Sequence, residues 1–134
     1  MRCWISRDAA VTIHAESMAA APREACGLLL GEPGRIEVAV VAENVAKSPE
    51  TRFEIDPTAL FAALRAERTG GPKLLGYWHS HPSGDATPSA TDAAMAEPDG
   101  KLWLILGGAE MTCWQARERG LHGRFAAVEL VRAE

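Results

Sequence analysis

Two histidines one residue apart, His79 and His81, end an apolar run at 73–81, and a Gly/Pro-rich stretch then leads to Ser89 and Asp92. If 73–81 is a strand, side chains two apart share a face, so the two imidazoles stand side by side and Ser80 points away. Paired imidazoles are ready ligands for zinc. A catalytic zinc usually takes three protein ligands and leaves a fourth position to water, and Asp92 is the nearest further oxygen donor. The stretch 82–88 is long enough to reverse the chain and bring a helix starting near Ser89 back over the strand end. Ser-x-x-Asp also has an ordinary use as a helix cap, with Ser89 capping and Asp92 three residues on. Capping and metal binding are compatible, since a helix N-terminus can present both side chains toward one site. The same donors also suit iron, cobalt or manganese.

The elements that must position these residues follow from periodicity. Val11, Ala15 and Met18 make a helical stripe over 8–20, after the possible caps Ser6 and Asp8 and before Pro22. Segments 25–31 and 35–41 read as paired strands across Glu32-Pro-Gly-Arg, and 53–55 as a short strand. Asp56 then caps a helix with Pro57 at its first position and Leu60, Phe61 and Leu64 on one face, up to Gly70-Gly-Pro. Segments 73–81, 101–106 and 111–117 read as strands, and 124–131 as a last edge strand. The fold class is mixed α/β (α+β). Trp4, Trp103 and Trp114 read as core or interface aromatics, and Tyr77 and Trp78 as packing residues able to line a groove. His14 reads as a packing residue and His122 as a loop surface residue.

The 134 residues suit a single domain over 1–134. Lys and Arg number 14 against 18 Asp and Glu, a formal charge of −4 that gives no general attraction to nucleic acid or anionic membranes. The apolar runs at 59–64 and 102–106 fall far short of the ~20 residues that span a bilayer. Charge interrupts the first residues before a signal-peptide core can form, so a cytoplasmic location is expected. Cys3, Cys26 and Cys113 include no Cys-x-x-Cys pair, which points to free, partly buried thiols.

His79-Ser-His81, seven residues, Ser89, two residues and Asp92 resemble the signature of the JAMM (MPN+) metalloproteases. The family's fourth element is an upstream glutamate, and Glu24 fits it within Pro22-Arg-Glu-Ala-Cys-Gly-Leu-Leu-Leu-Gly31. Arg52-Phe-Glu-Ile-Asp-Pro57 is also similar to small bacterial members. The resemblance covers about 8–115 and departs at none of the five functional positions, although the longer insertions of dedicated deubiquitinases are missing. It implies a mixed, curved β-sheet flanked by two or three helices, a cytidine-deaminase-like MPN/JAMM core. It implies that His79, His81 and Asp92 hold Zn²⁺, which makes the nucleophile by lowering the pKa of bound water. Glu24 would then serve as general base and general acid, and Ser89 as hydrogen-bond donor to the oxyanion.

The implied activity is a zinc-dependent peptidase or isopeptidase. Its implied substrate is the C-terminal Gly-Gly tail of a ubiquitin-like or sulfur-carrier protein, held in a narrow groove beside a sheet edge and cleaved from a cysteine or another adduct. One alternative is a noncatalytic MPN-like interaction module, against which the intact set of five residues argues. Another is a thiol hydrolase built on Cys26, although a thiol opening a Leu-rich segment is usually buried. Oligomeric state is open.

Overall fold

The computed structural model describes residues 1–133. In chain order the elements are β1 (Arg2–Ile5), α1 (Arg7–Ala20), β2 (Cys26–Glu32), β3 (Arg35–Ala42), α2 (Pro57–Arg68), β4 (Lys73–His81), α3 (Ala90–Met95), β5 (Leu102–Gly107), β6 (Glu110–Leu121) and β7 (Phe125–Arg132). The helices start where their capping residues dictate. Ser6 Oγ accepts the Ala9 N–H at 3.1 Å, and Asp56 accepts the Thr58 N–H at 3.1 Å with Pro57 in the first turn.

The strands close on themselves in the order β1-β3-β2-β4-β5-β6-β7. β4 lies between β2, antiparallel, and β5, parallel, with Cys26 opposite His79 and Gly107 opposite His81. The histidine pair therefore ends a central strand whose neighbours fix it on both sides. Side-chain alternation along β4 sorts the two faces. Trp78 joins Cys3, Ile5, Ile13, Leu29 and Leu104 in the core beneath α1. Tyr77 packs instead with the clusters beneath α2 and α3, which include Phe53, Trp103 and Phe125.

Four expectations about elements are corrected. The stripe Val11, Ala15 and Met18 faces outward, Met18 being 82% exposed, while α1 buries Ala9, Ala10 and Ile13. Small residues let the helix lie close on the sheet, so the larger apolar side chains are left on the far side. Phe61 is likewise exposed, and α2 packs through Ala63 with Leu60 and Leu64. The last strand is not an edge: β7 pairs in parallel with the unexpected β1, which closes the ring. Of the short strand expected at 53–55, only a bridge between Asn44 and Ile55 forms. Among the described residues, no helix is long and apolar enough to cross a membrane.

Candidate metal centre

At the end of β4 the period-two geometry brings His79 Nε2 and His81 Nε2 within 3.0 Å of each other. Asp92 Oδ2 lies 3.2 Å from the first and 3.1 Å from the second. Chain reversal through 82–88 makes this possible: Gly84, at φ +92°, donates its N–H to the His81 carbonyl, and α3 then begins over the strand end. The capping arrangement and the side-chain cluster are formed by the same residues. Ser89 Oγ accepts the Asp92 N–H and the Ser89 N–H donates to Asp92 Oδ2, both at 3.0 Å. That carboxylate oxygen thus faces both imidazoles and is held from behind by backbone.

Three donors in tetrahedral array at about 2.0–2.2 Å from an ion lie roughly 3.3–3.6 Å from one another. A triangle of 3.0, 3.1 and 3.2 Å comes within a few tenths of an ångström of that spacing. Two imidazoles and one carboxylate are also the donor types zinc prefers, so the site fits the ion. Each imidazole is oriented differently. His81 donates Nδ1–H to the Asp85 carbonyl at 2.7 Å, which turns the Nε2 lone pair toward the site. His79 stacks on Phe53 with ring centroids 4.3 Å apart, and among the described residues its Nδ1 has no partner.

Glu24 approaches from the turn before β2. One of its carboxylate oxygens lies within 4.8 Å of the histidine nitrogens, farther than Asp92, and Oε1 is buried without a partner among the described residues. The backbone around it is fixed twice. Glu24 N–H donates to the Pro49 carbonyl at 2.7 Å, and the buried Asn44 side chain donates to the Glu24 carbonyl at 2.9 Å. Asn44 Oδ1 also accepts the N–H groups of Ala46 and Glu54, so one amide side chain gathers the loop around the glutamate. Ser80, facing away from the histidines, accepts the Ala25 N–H on Oγ at 2.9 Å and so locks the glutamate segment to β4.

Burial pushes the Glu24 carboxyl up to about 7, opposed by His81 and assisted by Asp92. Burial lowers His79 and keeps it neutral, the form that binds metal. Burial would raise Asp92, but the close approach of His79 and His81 and the hydrogen bond from the Ser89 backbone hold it well below the usual carboxylate range. The Cys26 thiol, buried and facing the Glu24 charge, is pushed up to about 12. A thiol so reluctant to ionise is a poor nucleophile, which removes the cysteine alternative.

Glu24, His81 and Ser89 line a cleft of about 270 Å³ together with Glu50, Thr51 and Asp85. Phe53 belongs both to the histidine surroundings and to a second groove of about 240 Å³, which it lines with Leu60, Tyr77, Met95, Glu97 and Trp103. His79, His81 and Asp92 therefore meet at the end of β4, with Glu24 near the two histidines and Ser89 capping the helix that carries Asp92. Periodicity missed Asn44 and Phe53; His122 is an exposed turn residue, as expected, and also donates to the Pro88 carbonyl at 3.0 Å. For Asn44 the available signal was only a polar pair, Glu43-Asn44, directly after a β-branched strand.

A family model described as prokaryotic homologs of the JAB domain matches residues 6–117, a stretch that contains Glu24, His79, His81, Ser89 and Asp92. A desampylase from Haloferax volcanii is 36% identical over 104 residues, 75% of this chain and 74% of that protein. A probable TtuB-protein conjugate cleaving protease from Thermus thermophilus is 37% identical over 89 residues, 66% of this chain and 60% of its own length. The solution structure of protein DSY2949 from Desulfitobacterium hafniense is similar with a TM-score of 0.81 at 28% identity, covering 98% of this chain and 93% of that one.

Proposed function

The chain belongs to the family of prokaryotic homologs of the JAB domain, and from that premise we propose that it is a zinc-dependent metallopeptidase built as one domain. It hydrolyses the amide bond that follows the C-terminal Gly-Gly of a ubiquitin-like or sulfur-carrier protein. The observation that carries this reading is the convergence of His79, His81 and Asp92 within 3.2 Å, with a Glu24 carboxylate oxygen, buried and unpartnered among the described residues, beside them. A noncatalytic scaffold has no use for a buried, unpaired carboxylate, which costs stability.

His79, His81 and Asp92 would hold zinc, which when bound would make hydroxide available near neutral pH and polarise the scissile carbonyl. Glu24 accepts the proton that water loses as its oxygen attacks the carbonyl carbon. The Ser89 hydroxyl accepts the Asp92 N–H and keeps its own O–H free, so it can donate to the carbonyl oxygen as negative charge develops there. Glu24 then gives its proton to the amide nitrogen as the C–N bond breaks, leaving a carboxylate on the tail and a free amine. A carboxyl raised toward neutrality suits both transfers.

The names of the two relatives, a desampylase and a conjugate cleaving protease, support a protein-conjugate substrate. Since the strands close into a ring, the tail runs along the 50–55 segment, which borders both grooves, instead of along an edge of the main sheet. Glycines without side chains suit the approach to the buried histidines. Three buried free thiols fit a reducing, cytoplasmic setting. Neither nucleic acid nor membrane enters this reading.

The test is intact-mass analysis of a sulfur-carrier protein extended beyond its Gly-Gly end. Release of the extension by the zinc-loaded protein, its loss to a chelator and its return with added zinc are the expected results. An uncut substrate beside a fully zinc-loaded protein would remove this substrate class.

A further inference from the structure

The β6–β7 turn, residues 120–124, lies beyond the stretch matched by the family and reaches the metal centre through one side chain. His122 Nε2 is 3.0 Å from the carbonyl oxygen of Pro88, 34 residues earlier in sequence. Pro88 is fully buried, and its carbonyl belongs to the same peptide unit as the N–H of Ser89. That unit is planar and trans, so its carbonyl and its N–H point in opposite directions and cannot be turned separately. On one side it accepts from His122, and on the other it donates to Asp92 Oδ2 at 3.0 Å. Asp92 Oδ2 in turn faces both imidazole nitrogens.

The turn's backbone points the same way. His122 stands at φ +53°, in the left-handed region that side chains rarely adopt, between Gly120 and Gly123, which also have positive φ. Glycine would occupy this position without strain. Leu121 pairs with Phe125 and packs into the same apolar cluster that Ala93 of α3 joins. A strained histidine on a turn that packing has already docked is explained by its side chain.

We infer that His122 is a positioning residue for the metal centre, which fixes the Pro88–Ser89 peptide and through it the orientation of the Asp92 carboxylate. The inference rests on the functional reading above, because it takes His79, His81 and Asp92 as the zinc ligands. Partners beyond the ligands commonly contribute about 10- to 100-fold to metal affinity. His122 acts through one intervening peptide, so its contribution falls at the lower end of that range.

The test measures zinc affinity by chelator competition, together with the melting temperature of the metal-free protein, for wild type, His122→Gly and His122→Gln. Glycine relieves the backbone and removes the hydrogen bond, whereas glutamine carries an amide N–H near the place of Nε2. The expected result is about tenfold weaker zinc binding by His122→Gly with no fall in metal-free melting temperature, and recovery of most of that loss in His122→Gln. A merely structural role predicts the opposite pattern, with melting temperature and affinity falling together and no recovery with glutamine. Either that pattern or wild-type affinity in His122→Gly overturns the inference while the functional reading stands. A wild-type chain that binds no zinc overturns both.

Discussion

A carboxylate buried without a partner destabilises the fold that carries it, and Glu24 is 5% exposed with one oxygen unpaired among the described residues. Its proton is held more tightly folded than unfolded, with a carboxyl raised from 4.5 to about 7. Between those values the folded state binds more protons, so stability falls as pH rises, and the loss is complete above about 7. In the metal-free protein Glu24→Gln should therefore gain about 1–3 kcal/mol over wild type between about pH 4 and about pH 8. Urea unfolding at the two pH values checks this; equal gains at both would show that the carboxyl is not raised. Cys26 makes a sharper contrast, since a buried thiol pushed up to about 12 is almost wholly un-ionised at neutral pH. Iodoacetamide treatment at neutral pH should leave Cys26 unmodified in a peptide-mass map and peptidase activity unchanged. The histidine pair and Asp92 were legible because strand alternation and a short cap lie close together in sequence. Asn44 and Phe53 were not, because each acts through a contact far along the chain, with Glu24 and His79 respectively.

The turn between β4 and α3 holds its shape because it lies directly on β5. A Cβ added at Gly107, which pairs with His81 in register, would collide with the backbone of Asp85 and Ala86. The same turn is tied by Thr112, whose hydroxyl donates to the Ala86 carbonyl at 2.6 Å. Gly107→Ala should cost about 1–3 kcal/mol through overpacking and weaken zinc binding, because the Asp85 carbonyl that orients His81 must shift. Thermal unfolding and chelator competition check this, and wild-type values in both would show that the turn tolerates displacement. Most elements were readable from their caps and patterns: Ser6, Asp56 and Pro57 mark helix starts, partial alternation marks β3, and an apolar run marks β4. What misled was the use of side-chain size as a sign of burial. α1 packs through Ala9, Ala10 and Ile13, so its larger apolar residues face outward. β1 has only four residues, too few for a pattern, and without it β7 reads as an edge.

Zinc held by β4 and α3 would join elements whose only covalent link is the 82–89 turn, and it would bind only the folded chain. Ligand present at about a thousand times its Kd adds about 4 kcal/mol to stability. In a chain of this length that raises the melting temperature by roughly 10 °C or more. Calorimetry with and without a chelator should show that difference, and a melt indifferent to zinc would mean that the three ligands do not grip it. Overall charge and the seven-stranded ring permit a conjugate-cleaving enzyme without specifying one. In the proposed mechanism the specification lies in five side chains, which separate binding of the ion from movement of the proton. Cleavage after Gly-Gly by wild type and Glu24→Gln, compared at equal zinc content by intact mass, tests that separation most directly. Full zinc occupancy in both with product from wild type alone is the predicted result; equal product from the two would contradict the role of Glu24 and the mechanism built on it.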